Sequence, residues 1–209
     1  LGSGDPPQTD TRWGFVAFLS RDVRFQSFTG ISTTAFGFSI SSENTNYSVS
    51  VMPGTYDVAW ANAEQCPQDA QNIPCMPGPL REEISLQSSG SLDVTLPSVR
   101  LSGQLDLADS SWPDVSTSRG QLLLVHEVGT SVSSGSLGSS GPATFERTVF
   151  PGTYDIAWVP NDASCGDQSN GAIPCNQGFI ERDVQVSSSG QINLSMSSVS
   201  LSGLVTLNE

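Results

Sequence analysis

The chain has no lysine: its eight basic residues are all arginine, and 21 acidic residues outnumber them. Without a lysine amine, Schiff-base catalysis and lysine–asparagine isopeptide cross-links are excluded. The formal net charge of −13 and the isoelectric point near 4.1 set up a field that repels the phosphates of nucleic acids and anionic lipids. We therefore predict no nucleic-acid partner.

Long apolar runs are also missing. No stretch approaches the roughly 18 to 20 apolar residues that a membrane-spanning helix needs, so we predict no membrane insertion. His126 is the single histidine. A lone imidazole near a strand end is more typical of a structural polar residue than of the base in a nucleophilic triad. We predict a protein that is not an enzyme and carries no cofactor.

An internal duplication is the main positive feature of the sequence. Residues 51–60 read VMPGTYDVAW, and residues 149–158 read VFPGTYDIAW. The match extends to the serine–glycine motifs at 88–90 and 188–190. The start of the chain, Leu1 to Gly14, aligns with Leu107 to Gly120. We predict one repeat over residues 1–107, a second over 108–198, and a repeat-boundary strand over 199–209.

Each repeat shows the alternation of a half-buried β-strand. Tyr56, Val58 and Trp60 fall on one face of a strand, and the Pro53-Gly54 pair before it is typical of a type II turn. Similar alternation recurs throughout both repeats. The pattern predicts an all-β protein of two tandem antiparallel β-sandwich domains, immunoglobulin-like or transthyretin-like in architecture. Recurring acids, Asp57 with Asp155 and Glu83 with Asp183, are predicted to face solvent.

The PGTY turn-strands resemble the carboxypeptidase-regulatory-like, or transthyretin-like, sandwich repeats of bacterial surface proteins. The segment Val99-x-Leu101-x-Gly103, followed by Pro113 and the strand at 121–125, is similar to the opening of that family's repeat. The resemblance implies the fold and a bacterial source. It implies little about function, because the shared motifs are structural.

The position of the VxLSG strand allows two arrangements. If the strand closes the repeat before it, both sandwiches are complete. If it opens the repeat after it, as the resemblance implies, a second copy of the strand is left over at the end of the chain. That copy could be donated to an open sheet edge in a neighbouring subunit. The residues of the predicted donated strand are Val199, Leu201, Gly203, Val205 and Leu207.

Four cysteines lie in two closely spaced pairs at matching positions of the repeats. Cys66 and Cys75 form one pair, and Cys165 and Cys175 form the other. Zinc sites usually need CxxC spacing or nearby histidines, which these loops lack. We predict one disulfide per repeat and no metal site. The loops are rich in oxygen-bearing side chains but match no calcium-binding motif, so bound calcium stays open. Disulfides persist in oxidising compartments, which predicts an extracellular or cell-surface protein.

Two functions remain open at this point. We favour a non-enzymatic structural subunit of a surface filament or stalk that self-associates head to tail. The alternative is a secreted carbohydrate-binding or adhesin module, in which Trp13 and Trp112 would contact a glycan. The serine- and glycine-rich residues 130–141 are predicted to form a flexible loop.

Overall fold

The computed structural model describes residues 12–21, 35–41, 46–62, 73–108, 110–162, 173–199 and 204. The predicted all-β class is confirmed, and the strands are β1 (Arg12–Ser20), β2 (Ala35–Ser41), β3 (Gly54–Asn62), β4 (Gly78–Leu86), β5 (Val99–Leu107), β6 (Gly120–His126), β7 (Ser131–Ser136), β8 (Ala143–Val149), β9 (Gly152–Pro160), β10 (Gly178–Val186) and β11 (Gly190–Met196). In this part of the chain, no helix is long and apolar enough to cross a bilayer.

The chain divides into two compact units. Unit 1 comprises Leu1–Ser98 with Thr148–Phe150, and unit 2 comprises Val99–Arg147 with Pro151–Glu209. The division falls before β5, whereas the sequence-based boundary was placed after Leu107. The VxLSG strand therefore lies in the unit that follows it.

Unit 1 contains an antiparallel sheet with the strand order β2-β1-β3-β4. Val16 pairs with Trp60, and Phe18 pairs with Val58, so apolar side chains of neighbouring strands stand side by side on one face. All four of these side chains are buried. This face is the apolar face that the alternation predicted for the Tyr-Trp strand.

Unit 2 contains two sheets, ordered β10-β9-β6-β7 and β11-β5-β8. Alternate residues of both sheets are buried, which is the pattern of a β-sandwich-like core. Leu122 and Leu124 of β6, Ile156 of β9 and Leu105 of β5 are fully buried. The apolar alternation found in the sequence therefore marks the core-facing sides of both sheets.

One ladder of unit 2 is not antiparallel. β11 runs parallel to β5, with Gly190 opposite Leu101 and Met196 opposite Leu107. Parallel neighbours need a long crossover, and β6 to β10 supply it here. This pair corrects the expectation of a wholly antiparallel sandwich. The sequence could not reveal it, because side chains alternate in the same way in parallel and antiparallel ladders.

The serine-rich stretch at 130–141 also differs from its prediction. Residues Ser131–Ser136 form β7, which pairs with β6. Serine hydroxyls support the strand: Ser134 accepts a hydrogen bond from the Leu122 amide at 2.9 Å, and Ser133 donates to Gln121. Gly135 has a φ of 79°, which glycine adopts without strain. Side-chain hydrogen bonds thus compensate for the low strand propensity of this segment.

Candidate functional site

The central strand of the three-stranded sheet in unit 2 is the best-defined functional candidate. β5 lies between β11 and β8, and its core-facing side chains Val99, Leu101, Leu105 and Leu107 are all buried. Gly103 is the fifth core-facing position. A Cβ there would overlap the Ile192 carbonyl oxygen of β11 and lie 3.0 Å from the Phe145 ring of β8. Glycine is therefore required for the three strands to fit together.

Serine side chains hold β5 in its register against β11. The Arg100 amide donates to the Ser189 hydroxyl at 2.9 Å, and the Ser102 hydroxyl donates to the Gly190 carbonyl at 3.4 Å. Ser189 and Gly190 belong to the serine–glycine motif that both repeats carry. These contacts show which sequence features specify the parallel pairing.

Unit 1 has sequence counterparts of both outer strands of this sheet. Residues 46–51 correspond to residues 144–149 of β8, and residues 90–96 correspond to β11. Within the described residues, neither segment belongs to a β-ladder. Leu92 is half-buried like its counterpart Ile192, whereas Val94 and Leu96 are half-buried and their counterparts Leu194 and Met196 are buried. Among the described residues, no strand joins these two segments as β5 joins their counterparts in unit 2.

A tyrosine side chain connects the two segments where unit 2 has a strand. The Tyr47 hydroxyl donates a hydrogen bond to the Leu92 carbonyl oxygen. The Tyr47 ring stacks on Phe38 at 4.0 Å and contacts Phe18, so the segment at 46–51 packs on the apolar face of the unit 1 sheet. Desolvation, and then the charge of Asp93, raise the pKa of Tyr47 above its ordinary value. We call residues 46–51 and 90–96 the open edge.

The predicted donated strand begins at an exposed residue. Val199 is 94% exposed and Leu204 is 87% exposed, and both are unusual values for large apolar side chains. Leu201, Gly203, Val205 and Leu207 lie outside the described residues. The role of this strand stays a prediction.

Only one cysteine of each predicted pair is described. Cys75 is disulfide-bonded, and its predicted partner Cys66 lies outside the described residues. Cys175 is a free, exposed thiol, which differs from the predicted Cys165–Cys175 bond, and Cys165 also lies outside them. The pairing of the cysteines stays a prediction.

The single histidine is part of a turn in unit 2. The Val128 amide donates to His126 Nδ1 at 3.2 Å, and Nε2 lies 3.3 Å from the Pro151 carbonyl oxygen. The buried imidazole also meets the Tyr154 ring edge-on at 4.8 Å. These contacts engage both ring nitrogens with backbone groups, as in a structural histidine.

The recurring acids support a β-bulge in each unit. The Glu83 amide donates to Asp57 Oδ1 at 3.0 Å, and the Asp183 amide donates to Asp155 Oδ1 at 3.1 Å. Both donor residues have a φ of 57°, and each lies where the register of its ladder shifts. Left-handed backbone is costly for residues other than glycine, so the aspartate stabilises the bulge. The expectation of merely solvent-facing acids missed this role.

Asp57 also predicts an acid-sensitive step in the stability of unit 1. Hydrogen bonds from Arg21 and then from the Glu83 amide hold the pKa of Asp57 below its usual value. A depressed pKa in the folded state gives stability that is present above the unfolded-state value of about 3.9 and is lost as the pH falls through the folded-state value. We expect that in the Asp57→Asn chain the free energy of unfolding of unit 1 no longer shows this loss as the pH falls below about 4. Urea unfolding followed from pH 6 to pH 2 measures it.

Glu82→Gln is the matched control for that measurement. The Glu82 carboxylate lies 4.0 Å from Arg21, at the limit of an ion pair. We therefore expect the stability of the Glu82→Gln chain to depend on acid pH as that of the native chain does. An Asp57→Asn chain that loses stability on acidification as steeply as the native chain would contradict the role assigned to Asp57.

Trp112, one of the two predicted glycan contacts, is engaged within unit 2. Its indole N–H donates to the Leu105 carbonyl at 2.6 Å, and its ring lies 5.8 Å from Trp158. The Arg119 guanidinium lies over the ring, 5.6 Å from its centroid. The Trp112 ring is half-buried. The side chain of Trp13 lies outside the described part of the structure.

Arg119 is a buried cation that the sequence reasoning missed. Its side chain is 0% exposed and donates to the carbonyls of Pro113 at 3.0 Å and Gly141 at 2.9 Å. Burial lowers its pKa, and Asp114, 3.6 Å away, opposes the change. The repeat gave no signal for this role, because the aligned residue in the first repeat is Trp13.

A cleft of about 240 Å³ opens on unit 2 between the residues that follow β9 and the end of β11. Trp158 and Met196 form part of its lining, together with Phe179, which is 52% exposed. The Arg182 guanidinium covers the Phe179 ring at 4.0 Å. Among the described residues, no group of three or more histidine, cysteine or acidic side chains could hold a metal ion.

Comparisons with known proteins find little that is similar to this chain. No protein-family model matches the chain, and no curated protein matches it. Among solved structures, it is similar to one titled "The Bacillus anthracis TIE protein", with a TM-score of 0.29 and 9% identity over 90% of this chain. The chain spans 30% of the length of that structure. A TM-score this low carries no argument, and the resemblance to carboxypeptidase-regulatory-like repeats stays a prediction.

Proposed function

We propose that this chain is a non-enzymatic structural subunit of an extracellular filament or stalk, most simply one on a bacterial surface. In this proposal, its two duplicated units are β-sandwich domains, and a Cys66–Cys75 disulfide closes a loop of the first. Subunits join head to tail when the strand at 199–207 enters the open edge of the next subunit.

The open edge of unit 1 is the observation that carries this proposal. In the described part of unit 1, residues 46–51 and 90–96 belong to no β-ladder, whereas their counterparts in unit 2 flank a strand of the VxLSG type. Unpaired apolar edges promote association with another chain, and an added strand satisfies both their peptide groups and their side chains. The exposed Val199 belongs to a copy of that same strand.

The glycan-binding alternative has weaker support in the described residues. The indole N–H of Trp112 already has a partner, and Trp158 and Arg119 lie against its ring. Phe179 is an exposed aromatic, but a guanidinium covers its ring. Sugar-binding sites usually present an open aromatic face together with free hydrogen-bonding groups.

Electron microscopy and sedimentation of the intact chain test the proposed function. We expect linear particles that lengthen as the protein concentration rises, because head-to-tail contacts that do not close on themselves give open polymers. Single particles at all concentrations, under both reducing and oxidising conditions, would contradict the proposal.

A further inference from the structure

We infer that the cleft on unit 2 around Gly178 binds a large apolar side chain that comes directly before a Pro-Gly turn, and that Met52 of a second copy supplies this side chain. This inference rests on the proposed function for the presence of a second copy. The contact is separate from the strand at 199–207, and it joins two surfaces that differ from each other.

Unit 1 shows such a contact in its filled form. Unit 1 includes Thr148–Phe150, and the Phe150 ring lies so close to Gly78 that a Cβ there would be 2.7 Å from the ring. The Cys75 amide also donates to the Thr148 carbonyl oxygen at 3.1 Å. Residues 148–150 are all buried. An aromatic side chain and one backbone hydrogen bond thus hold them on this surface.

The receiving surface is built in the same way in both units. In unit 1, the Trp60 indole N–H donates to the Pro74 carbonyl oxygen at 3.3 Å. In unit 2, the Trp158 indole N–H donates to the Pro174 carbonyl oxygen at 2.9 Å. Each tryptophan therefore holds the start of the loop that carries the receiving residues.

The receiving surface is covered in unit 1 and uncovered in unit 2. Met76 and Gly78 are buried, whereas their counterparts Asn176 and Gly178 are exposed. Both of the exposed residues line the cleft of about 240 Å³. A Cβ at Gly178 meets no atom within 4 Å. The cleft therefore offers unit 2 the space that the Phe150 ring fills in unit 1.

The docking residues also have an exposed copy. The sequence SVMPG at 50–54 is the counterpart of TVFPG at 148–152, so that Met52 corresponds to Phe150. Met52 is 79% exposed, whereas Phe150 is buried. The Tyr56 hydroxyl donates to the Met52 carbonyl oxygen at 2.6 Å and so fixes the backbone that carries the side chain. A preorganised side chain loses less entropy on binding than a mobile one.

Methionine is chemically suited to this cleft. Its side chain is unbranched and adaptable, and its thioether packs favourably on aromatic rings, which Trp158 and Phe179 supply in the lining. By the duplication, the Cys175 amide would then donate to the Ser50 carbonyl oxygen of the second copy, as Cys75 donates to Thr148. Because the two surfaces differ, each copy can receive one neighbour and dock on another, which gives an open assembly.

The experiment uses full chains in which one surface at a time is disabled. Met52→Asp removes the docking side chain at an exposed position, and Gly178→Val fills the cleft without meeting an atom of its own unit. A chain with Met52→Asp is titrated with a labelled chain that carries Gly178→Val. By fluorescence anisotropy, we expect it to bind this chain about tenfold more tightly than a labelled chain that carries both substitutions.

The location of binding is read from the backbone amides of the receiving chain. We expect the NMR signals of Asn176 and Gly178 to shift only when the labelled chain has Met52. Adding Gly178→Val to the receiving chain should abolish the preference. Gly190→Val is the matched control and should keep it, because a Cβ at Gly190 has only the Ser188 carbonyl oxygen near it, at 3.9 Å, and Gly190 does not line the cleft.

The outcomes separate this inference from the proposed function. Equal binding of the two labelled chains overturns the inference, even if the native chain forms filaments. A preference for Met52 that survives Gly178→Val in the receiving chain overturns it as well, because the side chain would then bind elsewhere. Selective docking of Met52 in the cleft, in a protein that forms no filaments, supports the inference and contradicts the proposed function.

Discussion

Replacing Gly103 with valine is expected to lower the free energy of unfolding of unit 2 by at least about 3 kcal/mol, at the upper end of overpacking costs. A Cβ at this position overlaps the Ile192 carbonyl oxygen, and backbone cannot move aside as the end of a flexible side chain can. β5 must therefore separate from β11 or from β8. Hydrogen exchange of the β11 amides, read together with urea unfolding, measures the effect.

Gly178→Val provides the control for this prediction. Gly178 also lies in a strand, and a Cβ there meets no atom within 4 Å, so the substitution should change stability by less than about 1 kcal/mol. Unchanged protection of β11 in the Gly103→Val chain would show that the sheet tolerates a side chain here.

Arg119→Met should lower the free energy of unfolding of unit 2 by about 3 to 5 kcal/mol. The substitution keeps most of the side-chain length but removes the donors to Pro113 and Gly141, leaving two carbonyls without their charged partner. It also removes the cation beside Trp112. Equilibrium unfolding in urea, with tryptophan fluorescence as the signal, measures the loss.

Arg100→Met is the comparison that isolates burial. Arg100 forms an ion pair with Glu146 at 2.6 Å, but both side chains are about half exposed. Exposed pairs contribute little, so this variant should lose no more than about 1 kcal/mol. Similar losses for the two variants would mean that the buried position of Arg119 does not determine its contribution.

Much of the framework could be predicted from the sequence because its signals are local. Alternation at Tyr56, Val58 and Trp60, and the turn at Pro53-Gly54, identified β3 and, through the repeat, β9. The unit to which β5 belongs could not be predicted in this way. Alternation shows which side chains face a core, but the choice of partner strand depends on contacts far apart in sequence.

The functional details were hidden for a different reason. Asp57 and Asp155 each accept a hydrogen bond from a backbone amide in a β-bulge. The sequence pattern predicts only that an acidic residue in a strand faces water, so it could not reveal this bond. Arg119 has no counterpart in the first repeat, so the duplication could not reveal it. The open edge depends on the absence of pairing at residues 90–96, whose sequence is as strand-like as that of β11.

The parallel pair in unit 2 has a consequence for how that unit carries tension. A pull applied through residues 98 and 197 acts on the beginning of β5 and the end of β11, which run in the same direction. Force then loads the evenly spaced hydrogen bonds of the ladder together, in shear, instead of peeling them apart one at a time. This geometry makes unit 2 resistant to stretching along the line of the chain.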